Sequence, residues 1–138
     1  MSQGLYKEAI LRRSRSGTYR YRMANPTLSG RKKNPLCGDD VTLYLRLEGG
    51  TVEELSFEGR GCALAMAASD LLCENLKKKS VDEAKDLVER YISLLRDGKE
   101  ENRFEGEDFG AMEAVRSYPS RIDCAVLAWE IADELLQE

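Results

Sequence analysis

Four cysteines and no histidine define the chemistry open to this chain. Without histidine it cannot supply a Ser-His-Asp triad, a Cys-His dyad or an imidazole acid/base. Any metal it holds must be bound by cysteine, aspartate and glutamate. The cysteines are Cys37, Cys62, Cys73 and Cys124, with no CxxC pair among them. Disulfides are not expected in a cytosolic chain of this size. Metal binding, a reactive thiol and plain burial are the remaining roles.

Three of the four fall where elements end. Cys37 lies in the loop Pro35-Leu36-Cys37-Gly38-Asp39, just before a strand-forming run. Cys62 stands between Gly59-Arg60-Gly61 and an apolar helix-forming run, and Cys124 falls in the first turns of a last helix after Pro119. Helix N-termini favour negative charge, so Cys62 and Cys124 are placed where a thiolate is stabilised. Gly38, Gly59 and Gly61 permit close backbone approach at the same place, and Asp39 can aim an oxygen there. Three sulfurs and one carboxylate suit tetrahedral zinc, and they also suit an iron–sulfur cluster. Inert core cysteines are the plainer alternative. Cys73 lies eleven residues beyond Cys62 on the same helix, roughly 16 Å along its axis, so burial is expected there. Arg60 and Arg121 flank the candidate ligands and are read as partner-contact or charge-balance residues, against simple exposure. Asp70, inside the apolar helix, calls for a polar edge or a basic partner.

The elements that must position these residues follow from periodicity. Residues 4–14 read as a short amphipathic helix. Residues 15–36, rich in Arg, Ser, Gly, Asn and Pro, read as an irregular, mobile connection with a short strand at 18–23. Val41, Leu43, Leu45 and Leu47 alternate with polar residues, Gly49-Gly50 supplies a turn, and residues 51–58 supply a second strand, a β-hairpin pattern. Residues 63–78 form an apolar, central helix. Ser80 and Glu83 make a capping box for a helix whose stripe includes Ala84, Val88, Tyr91 and Leu95. Residues 97–107 form a surface loop, 109–115 a short helix, and Pro119 opens the last helix. The expected fold is α+β: an antiparallel sheet of two to three strands packed against four to five helices. The 138 residues make one domain, 1–138.

The net charge of −4 hides an asymmetry. Residues 1–35 carry nine Lys/Arg and one acid, whereas residues 36–138 carry twelve basic and twenty-four acidic groups. The basic segment is read either as an arm for an acidic partner or as a solvated surface. Nucleic acid is not expected, because the arm has no binding motif and the remainder is acidic. The longest uninterrupted apolar run, 63–68, is too short for a membrane span. Met1-Ser2-Gln3-Gly4 leads straight into a charged amphipathic stretch without the pattern of a secretory signal, so a cytoplasmic location is expected.

Three segments also resemble the motifs of the SufU/IscU (NifU N-terminal-like) family of iron–sulfur cluster assembly proteins. They are Asn34-Pro35-Leu36-Cys37-Gly38-Asp39, Phe57-Glu58-Gly59-Arg60-Gly61-Cys62 and the stretch from Tyr118-Pro119-Ser120-Arg121 through Cys124 to Trp129. The opening Leu5-Tyr6-Lys7-Glu8-Ala9-Ile10-Leu11 resembles that family's first helix. The resemblance spans nearly the whole chain in order and spacing. The IscU branch places histidine directly before the third cysteine, where this chain has Asp123. The 61 residues between Cys62 and Cys124 resemble the longer SufU form. A SufU-type resemblance implies zinc ligands Cys37, Asp39, Cys62 and Cys124, with Cys37 as the sulfur acceptor. It implies a zinc-dependent sulfurtransferase, a partner of a SufS-like, pyridoxal-phosphate-dependent cysteine desulfurase, which takes persulfide sulfur and relays it to the downstream cluster assembly machinery. The alternative is an IscU-like scaffold that assembles a [2Fe–2S] cluster on the same ligands. Whether the protein counts as an enzyme in its own right is left open.

Overall fold

The alternating run around Leu43 lies in the middle strand of a three-stranded antiparallel sheet, seen in a computed structural model that describes residues 8–137. The strands are β1 (Leu28–Asn34), β2 (Asp39–Glu48) and β3 (Thr51–Arg60), in the order β1-β2-β3. Val41, Leu43 and Leu45 point into the core, as the period of two requires. In β3 the buried apolar positions are Val52, Leu55 and Phe57, which break strict alternation. The register explains them: Leu45 faces Leu55, Arg46 faces Glu54, and Leu47 faces Val52. Glu53 is therefore an extra residue, and this β-bulge returns Val52 to the core side.

Among the described residues five α-helices complete the fold: α1 (Glu8–Ser14), α2 (Ala63–Leu76), α3 (Val81–Asp97), α4 (Glu107–Glu113) and α5 (Ile122–Leu136). The sheet rests on α2 and α5, with α2 against β3 and α5 against β1 and β2; α3 packs behind α5, and α1 packs on α2 and α4. α2 is buried over most of its circumference, as its Ala- and Leu-rich sequence demands. α3 is amphipathic and starts at the expected capping box, with Ser80 and Glu83 bonding each other's backbone N–H, and it ends on left-handed Gly98. Tyr91 of α3 stacks on Trp129 of α5 with ring centroids 3.7 Å apart. Their polar tips are satisfied: the Tyr91 hydroxyl donates to Ala125 O at 2.9 Å and Trp129 Nε1 donates to Ala68 O at 3.0 Å. That joins three helices around one aromatic pair.

The differences from expectation have local causes. The strand in the basic segment lies at Leu28–Asn34, not at 18–23. Its helix-facing positions carry Gly30, against Ile131 and Leu135, and Lys32, which reaches Glu130 and Glu134 on α5. With Leu28 the one apolar side chain among inner positions 28, 30, 32 and 34, the strand leaves no apolar periodicity to read. Residues 18–23 instead run beside the edge of β3, where Arg20 makes a single isolated parallel bridge to Phe57. Tyr19 O accepts the Phe57 N–H at 2.8 Å, Arg20 reaches Gly59 O, and Tyr21 bonds Glu54. α2 stops at Leu76 because the hairpin engages the next residues: Lys78 N–H donates to Val52 O at 2.7 Å and Val52 N–H to Lys79 O at 2.8 Å. Pro119 opens a 3₁₀ turn, Pro119–Arg121, and α5 begins only at Ile122. The short helix expected at 109–115 runs over Glu107–Glu113, followed by a 3₁₀ turn. The first expected helix is helical over Glu8–Ser14; Leu5, Tyr6 and Lys7 lie outside the described residues. No helix among the described residues is long and apolar enough to cross a membrane.

Much of the basic segment is neutralised within the fold. Arg31 pairs with Asp40 at 2.7 Å and Arg12 with Asp108 at 3.2 Å. Arg13 contacts three carboxylates, Asp70 at 2.7 Å, Glu74 at 2.9 Å and Asp108 at 2.5 Å. Asp70, the polar residue out of place in the apolar helix, thus has its basic partner, and the network joins α1 to α2 and to α4.

Candidate metal centre

The end of β1 and the start of β2 form a tight hairpin that builds one wall of the site. Asn34 and Asp39 are paired in register across it. In the turn, Cys37 N–H donates to Asn34 O at 3.2 Å and Gly38 N–H donates to Pro35 O at 3.3 Å. Gly38 takes the left-handed conformation, φ +69, that closes the turn and that glycine adopts without a β-carbon penalty. Cys37 therefore sits at the hairpin tip, half-buried, and Asp39 drops into the interior at 1% exposure.

The other wall consists of two helix starts. Cys62 is the N-cap residue of α2, and Cys124 is the third residue of α5 and fully buried. Cys62 N–H donates to Asp39 Oδ1 at 2.9 Å, so Asp39 acts as the side-chain acceptor at the entrance to α2. Gly61 makes that approach possible. A β-carbon on residue 61 would lie 2.9 Å from Asp39 Cα and 3.0 Å from its Cγ, and closer still to Oδ1.

The ligand atoms of Cys37, Asp39 and Cys124 all lie within 4.8 Å of one another. The sulfurs of Cys37 and Cys124 are 3.0 Å apart. Cys62 stands at the edge of this trio, with its sulfur 3.9 Å from Asp39 Oδ2 and in contact with Cys124. Cys73 is elsewhere, wholly inside the core, where burial pushes its thiol up. The hydrogen bond from Cys124 lowers the Cys62 thiol to about 7 against the opposing effect of burial, aided by the Ala65 backbone and the positive charge of Arg121. Cys124 moves the other way, raised by its bond to Cys62 and by burial.

Among the flanking residues, Arg60 is exposed at the end of β3, opposite Asp40, and Arg121 is half-buried near Cys62. Asp40 points to Arg31 rather than to the cysteines. Asp123, next to Cys124, pairs with Arg96 at 2.8 Å, which offsets its charge beside the site. Sequence reasoning missed Asn34. Its Nδ2 donates to Asp39 Oδ2 at 3.3 Å and to Cys124 Sγ at 3.4 Å from a position that is 6% exposed. The only signal was its place ahead of Pro35 in the first cysteine motif. A neutral amide does not stand out in a search for ionisable and nucleophilic groups.

The donor set fits a thiophilic metal. Cysteine sulfurs and one carboxylate converge in a largely buried pocket, with a glycine making room for the carboxylate and an amide holding it. Zinc or an iron–sulfur cluster would both accept such donors. Fold and site together define a class: an α+β protein with a candidate cysteine–carboxylate metal site between a hairpin tip and two helix starts.

The NifU-like N terminal domain family matches residues 6–135, and the chain belongs to that family. It is 35% identical to the iron–sulfur cluster assembly scaffold protein IscU of Thermotoga maritima, over 97% of this chain and 94% of that one. It is 30% identical to the zinc-dependent sulfurtransferase SufU of Bacillus subtilis, over 73% of this chain and 69% of that one. The crystal structure of FiSufU, from the SUF system of Fervidobacterium islandicum AW-1, superposes with a TM-score of 0.89 at 28% identity, covering 99% of both chains. This is a SufU-type member of the IscU/SufU iron–sulfur cluster assembly proteins.

Proposed function

We propose that this chain is a zinc-dependent sulfurtransferase that accepts persulfide sulfur from a pyridoxal-phosphate cysteine desulfurase and relays it to the cluster assembly machinery. The observation that carries this reading is the convergence of Cys37, Asp39 and Cys124, with Cys62 at their edge, in a chain without histidine. Cys37, Asp39, Cys62 and Cys124 would hold the zinc. Zinc, when bound, keeps its thiolate ligands deprotonated at neutral pH. The SufU of Bacillus subtilis, similar over 73% of this chain, supports the same reading.

The acceptor is Cys37, at the hairpin tip and more accessible than buried Cys124. Its thiolate attacks the outer sulfur of the desulfurase persulfide. The new sulfur–sulfur bond forms on Cys37 as the bond to the desulfurase cysteine breaks. That cysteine leaves as a thiolate, and the terminal negative charge travels with the transferred sulfur, so no external oxidant or reductant enters. Arg60 and Arg121, beside the opening, contact the desulfurase and counter the anionic charge there. The location is cytoplasmic.

Elemental analysis of the purified protein with its ultraviolet–visible spectrum tests the reading. One zinc per chain, no visible absorption, and faster sulfide release by a cysteine desulfurase are the expected results. The IscU scaffold of Thermotoga maritima, 35% identical over nearly the whole chain, favours a second reading: assembly of a [2Fe–2S] cluster on the same ligands. Brown protein with two irons per chain would establish that one instead.

A further inference from the structure

Among the described residues, Asn34 is a buried neutral side chain that bonds two of the candidate ligands at once. Asp39 as a carboxylate and Cys124 as a metal-bound thiolate are both pure acceptors. The amide nitrogen of Asn34 can face both, with one hydrogen for each. The distances, 3.3 Å to Asp39 Oδ2 and 3.4 Å to Cys124 Sγ, fit that division. Asp39 is then held at both oxygens, because Oδ1 already accepts the Cys62 N–H at 2.9 Å. Toward Cys37, Asn34 offers its backbone carbonyl, which anchors the turn at Cys37 N and leaves the thiol on the hairpin tip.

We infer that Asn34 is a positioning residue that fixes Asp39 and Cys124, and through Asp39 the Cys62 N–H, as the permanent side of the site, leaving Cys37 at the hairpin tip as the ligand that exchanges. This rests on the zinc-site reading above. Partners of this kind, one step removed from the metal, fix a ligand's orientation and its donor strength. An N–H bond to a metal-bound sulfur also withdraws electron density from it, so losing the bond alters the metal–sulfur spectrum as well as affinity.

Four forms test it: the wild type, Asn34→Asp, which keeps the shape but presents no amide hydrogens, Asn34→Leu, and Asn34→Ser, which restores one donor. Chelator competition should show zinc bound about 10–100-fold more weakly in the Asp and Leu variants, with partial recovery in the Ser variant. In the cobalt-loaded protein the sulfur-to-cobalt charge-transfer band should shift in the Asp and Leu variants, which a purely structural role would not cause. Iodoacetamide on the zinc-loaded wild type should modify Cys37 first, and on Asn34→Leu should also reach Cys124. Wild-type affinity, an unshifted band and modification confined to Cys37 in both the Asp and Leu variants would overturn the inference. Should those variants not fold, the wild type alone decides. Asn34 side-chain amide protons that exchange with solvent at the rate of a free amide overturn it; protected protons support it. A wild type that binds no metal sinks the zinc reading, while the amide exchange of the metal-free protein still tests the two hydrogen bonds.

Discussion

Gly61 and Asp39 interlock: the face of residue 61 that would carry a side chain is filled by the carboxylate of Asp39. A β-carbon there would come within 2.9 Å of Asp39 Cα. Gly61→Ala should therefore push Asp39 off Cys62 N–H, costing about 1–3 kcal/mol of stability. Urea denaturation measures the loss, and the same protein should retain little zinc. Unchanged zinc content would show that Asp39 is not a needed ligand.

Cys37 and Asp39 should separate by function. Cys37→Ala is expected to keep appreciable zinc, with water in the vacated position, yet to lose all stimulation of a cysteine desulfurase. Asp39→Ala should mainly weaken zinc while keeping a thiol that accepts sulfur. Mass spectrometry of the trapped persulfide locates the added sulfur. Finding it on Cys73 or Cys124, with Cys37 unmodified, would refute the assignment of the acceptor.

Metal removal should destabilise the protein, because binding is coupled to folding. Chelation of the wild type, Cys62→Ala and Cys124→Ala should each lower the melting temperature sharply. Cys73→Ala is the control. Its thiol is buried away from the site, so its zinc content should be unchanged and its stability lower by only about 1 kcal/mol.

The Arg13 network gives a pH signature. Arg13→Ala leaves Asp70 buried without its cation, and breaking such a pair costs about 3–5 kcal/mol near neutral pH. Burial raises the Asp70 pKa, and Arg13 is the main group opposing that rise, with Ser16 a lesser one. A carboxyl whose folded pKa lies above its unfolded value stabilises the fold in acid and loses that contribution as pH rises through the folded pKa. Removing Arg13 enlarges the shift. The gap between wild type and variant should thus be widest at neutral to mildly basic pH and shrink on acidification. Denaturation curves at several pH values check this; a gap that is constant or grows in acid contradicts it.

How far the sequence could be read depended on whether a residue's role showed in its own type. Val41, Leu43 and Leu45 declare β2 by alternation, and Ser80 with Glu83 declares the start of α3, because both signals are local. Cys37, Asp39, Cys62 and Cys124 stood out by type and by their place at element ends. β1 was hidden because its inner face takes its character from α5, through Ile131 and Glu134, a hundred residues away. The spacing of Val52 and Leu55 became intelligible only with the bulge at Glu53, which exists in the pairing and not in either strand alone. Asn34 bonds Asp39 and Cys124 through a neutral amide, for which sequence offers no separate sign.

The strand that was hardest to read has a consequence beyond the metal site. β1 lies at the margin of the sheet and carries Arg31, Lys32 and Lys33 in succession. At the opposite margin, the Phe57 N–H of β3 is already taken by Tyr19. Consecutive cations on one margin and an occupied donor on the other disfavour the growth of the sheet by adding strands from further molecules. The sequence that obscures the strand thus also guards against aggregation.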